Sequence, residues 1–139
     1  GQWDYKIKLS EQSIKISNPG LLRARRYYYD DGTAMGDMIY DELLLPEGDA
    51  VIVDPLDSTR RKRMPAGMKS KELLAPIFRE GRLVYDVPVI DDVRALAQQE
   101  LAQFHASIKR FTNPHSYPVG LEQALFELKN SLILQLRGV

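Results

Sequence analysis

Lys6, Lys8 and Lys15 are the residues whose type and spacing most readily imply chemistry in this chain. Lys6 and Lys8 alternate with Tyr5, Ile7 and Leu9, and Lys15 stands between Ile14 and Ile16. That period-two pattern predicts two adjacent strands, over residues 5–10 and 14–17, each with one buried and one wet face. Asn18-Pro19-Gly20 stops the second strand. Three ammonium groups on one side of a strand pair form a comb that can hold a multiply charged anion. The same lysines also describe a solvated strand face, since Lys blunts exposed sheet edges. The second outcome is the commoner one.

Other chemistry-bearing groups point less far. Asp37 and Asp41 are four residues apart, and in a strand they share a face at about 13 Å, too far to grip one ion together. His115, between Pro114 and Ser116, has no carboxylate placed beside it by sequence and fits an ordering role in a loop. Thr59-Arg60-Arg61-Lys62-Arg63 could grip phosphate, but a charge run in a loop is usually solvated. No dinucleotide or phosphate-loop motif, nucleophile elbow or zinc-protease helix motif occurs. The chain has no Cys, which removes disulfides, thiolate metal sites and a cysteine nucleophile together. Two His, His105 and His115, are too few for a zinc site. No catalytic residue and no metal ligand is therefore assigned.

The 19 Lys and Arg balance the 19 Asp and Glu, yet the charge is arranged in blocks. Residues 1–26 carry six basic and two acidic side chains; residues 27–57 carry nine acidic and no basic ones; residues 58–71 carry six basic and no acidic ones. An all-basic surface would imply a nucleic-acid partner. Here the acidic block is expected to pair with its basic neighbours after folding, and no nucleic acid is expected. Apolar runs such as Leu43-Leu44-Leu45 and Ala50-Val51-Ile52-Val53 are far short of a membrane span. No secretory pattern precedes the first strand, so a cytoplasmic location is the expectation. The start at Gly1-Gln2-Trp3, without an initiator Met, reads as a piece of a longer protein.

Turn chemistry and periodicity set out the elements that must position these groups. Strands at 22–29 and 34–40 flank Asp30-Asp31-Gly32-Thr33 as a hairpin. A short strand is expected at 50–53, and residues 60–71, with Pro65 and Gly67, as a mobile connection. Strands at 73–78 and 82–85 flank Glu80-Gly81, with Pro76 marking an edge. Ile90, Val93, Leu96, Ala97, Leu101 and Phe104 recur at helical spacing, with Asp91 and Asp92 in the first turn. Asn113-Pro114-His115-Ser116-Tyr117-Pro118 breaks that helix, and a second runs from Leu121 through Leu125, Leu128 and Leu132 to Gly138. The fold class is α+β: N-terminal antiparallel β hairpins followed by two C-terminal amphipathic helices, with 1–87 mostly β and 88–139 mostly α.

In order and spacing, these segments resemble a known family. The run comprises Lys6-Ile7-Lys8-Leu9-Ser10-Glu11, Lys15-Ile16-Ser17-Asn18-Pro19-Gly20, Gly36-Asp37-Met38-Ile39 and Asp54-Pro55-Leu56. Pro76-Ile77-Phe78-Arg79-Glu80-Gly81-Arg82, Ile90-Asp91-Asp92-Val93-Arg94 and Asn113-Pro114-His115-Ser116-Tyr117-Pro118-Val119 complete it. It resembles the C-terminal portion of nicotinate phosphoribosyltransferase over essentially the whole chain. The resemblance implies an enzyme that makes nicotinate mononucleotide from nicotinate and 5-phosphoribosyl 1-diphosphate, with ATP hydrolysis, at the start of NAD salvage. It implies a homodimer with an upstream catalytic β/α barrel that carries the phosphorylated His and the Gly-rich phosphate loops. Neither His105 nor His115 is then that catalytic His. ATP and Mg²⁺ belong to the whole enzyme, and no cofactor is bound by this segment.

The resemblance also places Lys6, Lys8, Lys15 and Arg23 where basic residues of related phosphoribosyltransferases approach the diphosphate. Residues 1–139 are then a single C-terminal domain or fragment that completes fold and dimer. The alternative is a free-standing, non-enzymatic binding or regulatory module related to that segment.

Overall fold

The computed structural model describes residues 4–139; Gly1, Gln2 and Trp3, and the inference drawn from them, lie outside the described residues. Strands β1 (Leu22–Tyr28) and β2 (Ala34–Asp41) form the expected antiparallel hairpin, in register from Leu22 opposite Asp41 to Tyr27 opposite Gly36. Asp31 orders the turn by accepting the Thr33 amide at 2.8 Å. Strands β3 (Ala50–Asp54) and β4 (Asp57–Met64) form a second antiparallel pair, turned where Asp54 accepts the Leu56 amide at 2.9 Å. Strand β5 (Ser70–Glu72) adds to the outer side of β1. Strands β6 (Phe78–Arg79) and β7 (Arg82–Leu83) form a separate hairpin whose turn residues Glu80 and Gly81 both have positive φ.

Helix α1 (Ile90–Ala102), strand β8 (Val119–Glu122) and helix α2 (Gln123–Leu136) complete the chain. The six-stranded sheet has the order β4-β3-β8-β2-β1-β5. Strand β8 thus sits inside the sheet, antiparallel to β3 and parallel to β2. Side-chain alternation divides the core between the two faces. Met38, Tyr40, Ala50, Ile52 and Met64 pack on one face, and Val53, Leu121, Leu125 and Phe126 on the other, where α2 lies. The α+β class, antiparallel strands with two helices towards the C-terminus, is as expected.

Four local expectations are corrected. Residues 5–10 form no ladder, and Ser13–Lys15 is a short 3-10 helix. Burial still alternates, with Tyr5, Ile7 and Leu9 half-buried and Lys6 and Lys8 exposed. Side chains and a single backbone link hold this segment in place of a ladder. The Lys8 amide donates to Ser17 Oγ at 2.7 Å and the Ser17 amide to the Lys8 carbonyl at 3.2 Å. Lys129 of α2, itself buried, donates to the Ile16 carbonyl at 3.1 Å and to Asn18 at 2.9 Å. Burial lowers the Lys129 pKa from its ordinary value.

Secondly, residues 60–64 continue β4 and residues 70–72 form β5, where a mobile connection was expected. Basic side chains suit an edge strand, since they deter pairing with another chain. Thirdly, Leu121 belongs to β8 and not to the second helix. Glu122 sets the boundary: its carboxylate accepts the Ala124 amide at 2.8 Å and starts α2 one residue later. Fourthly, the hairpin after residue 73 pairs over only two residues a side.

Candidate functional site

The four cations assigned to anion binding stand apart from one another in their partners. Lys6 pairs with Asp4 at 3.0 Å, both exposed, and Arg23 with Glu42 at 2.9 Å. Lys8 and Lys15 are exposed, on the segment that Ser17 and Lys129 fix. The paired-strand comb is therefore not the geometry, because the ladder it needed is absent. What remains is an anchored segment, extended at Lys8 and turned into the 3-10 helix at Ser13–Lys15, that presents both lysines to solvent.

Asp37 and Asp41 have structural work. Asp37 lies opposite Arg26 in the β1–β2 register and accepts two hydrogen bonds of 2.8 Å from its guanidinium. The Tyr117 hydroxyl donates to the same carboxylate at 2.8 Å. Arg26 reaches on to Glu100 of α1 at 3.0 Å, and Glu100 accepts from Lys71 of β5 at 2.9 Å. Phe104 closes the cluster, edge-on to Tyr117 and under the Arg26 guanidinium. The hydrogen bonding of Arg26 to Asp37 is the first cause raising the Arg26 pKa; burial, ahead of the same carboxylate, raises that of Tyr117. One network thus ties β1, β2, β5, α1 and the segment before β8.

Asp41 is fully buried and supports the turn after β2 by accepting the Leu43 amide at 3.0 Å. The Asp41 carboxylate also raises the Tyr5 pKa from its ordinary value. Among the described residues, no three or more His, Asp or Glu side chains gather into a group that could hold a metal ion. The charge blocks pair only in part: Arg23, Arg26 and Arg63 meet Glu42, Asp37 and Asp49 of the 27–57 block, while Lys6, Arg25 and Lys71 pair with carboxylates outside it.

Two adjoining hollows remain. One of about 550 Å³ lies along β4 and β3, with Arg60, Arg61, Lys62 and Asp54 on one side and Ser116 and Tyr117 on the other. The second, about 450 Å³, shares Lys62, Ser116 and Tyr117 and adds Tyr29 and both histidines. His105 Nδ1 lies 2.7 Å from Ser107 Oγ, and the His115 amide donates to the Ser107 carbonyl at 3.0 Å. Lys62 donates to Tyr29 Oη at 3.0 Å and to the Met35 carbonyl at 3.2 Å. Sequence reasoning noted the basic run but, taking it as loop, could not place it against His105 and His115.

Residues 23–129 match the family model described as the nicotinate phosphoribosyltransferase C-terminal domain. The chain is 30% identical over 132 residues to nicotinate phosphoribosyltransferase of Mus musculus, covering 91% of this chain and 24% of that protein. It is 27% identical over 135 residues to the Bacillus subtilis nicotinate phosphoribosyltransferase, covering 95% of this chain and 27% of that one. Its fold is similar to the crystal structure of human nicotinic acid phosphoribosyltransferase, with a TM-score of 0.69 at 28% identity, over 84% of this chain and 24% of that one. The chain thus spans about a quarter of the length of the curated relatives it matches. The resemblance carried by the ordered motifs and the match of the folded domain agree: this chain belongs to the nicotinate phosphoribosyltransferase C-terminal domain family.

Proposed function

We propose that this chain is the C-terminal segment of an enzyme that makes nicotinate mononucleotide from nicotinate and 5-phosphoribosyl 1-diphosphate, with ATP hydrolysis, for NAD salvage. The segment completes the fold and the homodimer of a cytoplasmic enzyme whose catalytic barrel lies upstream. One observation carries this reading: α1 buries none of its side chains within the chain. Ile90, Leu96 and Leu101 on that helix, with Phe78, Leu83 and Val87 around the small hairpin, are all more than half exposed. An apolar face of this extent calls for a covering surface, and the upstream part of the same enzyme supplies one. We assign ATP and Mg²⁺ to that upstream part, as the family resemblance implies. Lys8 and Lys15 would reach the diphosphate from their anchored segment.

The test is complementation. The upstream part alone, this chain alone and the two together are incubated with nicotinate, ATP and the diphosphate sugar, and nicotinate mononucleotide is read by mass. The chain alone should give nothing above blank, because it holds no nucleophile–base pair or phosphate loop. The mixture should exceed the upstream part alone by at least tenfold. Turnover by the isolated chain, or full activity of the upstream part without it, would sink this reading.

A further inference from the structure

Three of the four basic side chains of β4 are cations that the fold leaves without a carboxylate. Arg23, Arg25, Arg26, Arg63 and Lys71 each meet a carboxylate. Among the described residues, Arg60, Arg61 and Lys62 meet none within ion-pair distance. Arg61 is turned to the Ser58 carbonyl and the Phe126 ring, and both acceptors of Lys62 are neutral oxygens. An ammonium carries three donors, so Lys62 keeps one N–H after serving Tyr29 and Met35. It is half-buried, where a charge interacts more strongly than at the open surface.

We propose that the two hollows meeting at Lys62 form one binding site for a phosphomonoester. Its phosphate lies against Arg60 and Lys62, and its organic body lies beside His105 and His115. This goes beyond the role in completing the enzyme proposed above. Arg60 and Lys62 project from the same face of β4, two residues apart, as two-residue alternation requires. Both line the larger hollow, and Lys62 also lines the smaller, so one phosphate can be shared between the two cations. Ser116 borders both hollows and adds a hydroxyl donor. A carboxylate would leave part of this donor set unused, whereas the three terminal oxygens of a phosphomonoester engage it. The carboxylates lining the two hollows are each partly engaged: Asp54 accepts the Leu56 amide through one oxygen, and Asp31 the Thr33 amide. The combined space, about 550 and 450 Å³, admits a ligand well beyond the size of free phosphate.

The experiment is residue-resolved protection from arginine- and lysine-selective reagents, read by mass spectrometry. It is run in parallel on the 139-residue chain and on the full-length enzyme, with ribose 5-phosphate as probe and potassium chloride at matched ionic strength as control. Saturable protection of Arg60 and Lys62, at least fivefold above the chloride control and without protection of Lys6 or Lys8, is the expected result. Lys62→Gln should weaken the protection of Arg60 at least tenfold in ribose 5-phosphate concentration. Arg60→Gln, at an exposed position of the edge strand, leaves the fold intact and should do the same to Lys62. Protection spread evenly over the basic residues, protection unchanged in both variants, or none in the full-length enzyme would each overturn the site.

Discussion

Arg26 and Asp37 occupy directly opposed positions on β1 and β2, and the guanidinium gives both carboxylate oxygens a hydrogen bond of 2.8 Å. Their side chains are only 13% and 16% exposed, so solvent screens this pair far less than the Arg25–Glu72 pair beside it, at 25% and 43%. Losing Asp37 takes the bidentate acceptor from Arg26 and leaves it Glu100 alone. Asp37→Asn should therefore lower stability by about 1.5–3 kcal/mol, the range for hydrogen bonds to a charged group. Glu72→Gln should cost under about 1 kcal/mol. Urea titrations of the two variants give both values, and equal losses would show that the Arg26 network has no special weight.

Tyr117 gives this network a signature in alkali. Burial first, and then the hydrogen bond to Asp37, raise its pKa above the ordinary 10.0. Above pH 10 the unfolded chain releases this proton while the folded chain keeps it. A raised pKa therefore contributes stability that is complete below the unfolded value and is lost as pH rises through the folded one. Tyr117→Phe should cost about 1 kcal/mol at neutral pH, through the lost hydrogen bond. It should also flatten the decline of stability above pH 10. Unfolding free energies of both proteins from neutral pH upward provide the check; parallel curves would count against the assignment.

Gly120 is the point where backbone meets backbone in the centre of the sheet. A Cβ there would stand 2.7 Å from the Val53 carbonyl oxygen and 2.9 Å from Val53 N and C. Backbone on a central strand cannot move aside as a flexible side chain can. Gly120→Ala should cost about 1–3 kcal/mol by overpacking, with the loss centred on the β3–β8 contact. Thermal melting measures the size, and amide exchange at Ile52 and Val53 shows its place.

The parts of this fold that depend on local patterning were legible in the sequence. The β1–β2 hairpin followed from apolar runs around Asp-Asp-Gly-Thr, and α1 from the spacing of Ile90, Val93, Leu96 and Leu101. Features set by distant contacts were not legible. Leu121 continues the apolar period of α2, and only the insertion of β8 between β3 and β2 makes it a strand residue. Arg60–Lys62 lack the alternation that marks a half-buried strand, because β4 lies at an edge and shows charge on both faces. The Tyr5–Leu9 alternation did report burial, but that segment is held through Lys8 by Ser17, whose neighbours Ile16 and Asn18 are fixed by Lys129, in place of a ladder partner. For the same reason, the shared hollow of Lys62, His105 and His115 had no sequence signal beyond the residue types.

The assignment of Lys6, Lys8, Lys15 and Arg23 to diphosphate contact divides on their present partners. Lys6 and Arg23 each have a carboxylate at about 3 Å, whereas Lys8 and Lys15 are exposed without one among the described residues. Removing a free lysine that meets substrate forfeits a charge-assisted hydrogen bond of about 1.5–3 kcal/mol. Lys8→Met in the full-length enzyme should therefore raise KM for the diphosphate sugar about tenfold to a hundredfold. Lys15→Met should act in the same direction, and Lys6→Met, already paired with Asp4, should act less. Stability should move by under about 0.5 kcal/mol in all three, since their side chains are exposed. The Lys8 amide and carbonyl, which tie the segment to Ser17, are kept in the Met variant. A lost anchor would lower the melting temperature, and a lost substrate contact would raise KM alone, so melting curves and steady-state kinetics on the same preparations separate them. If KM stays at the wild-type value in the Lys8 and Lys15 variants alike, these lysines are a solvated surface and the diphosphate is held entirely by the upstream part.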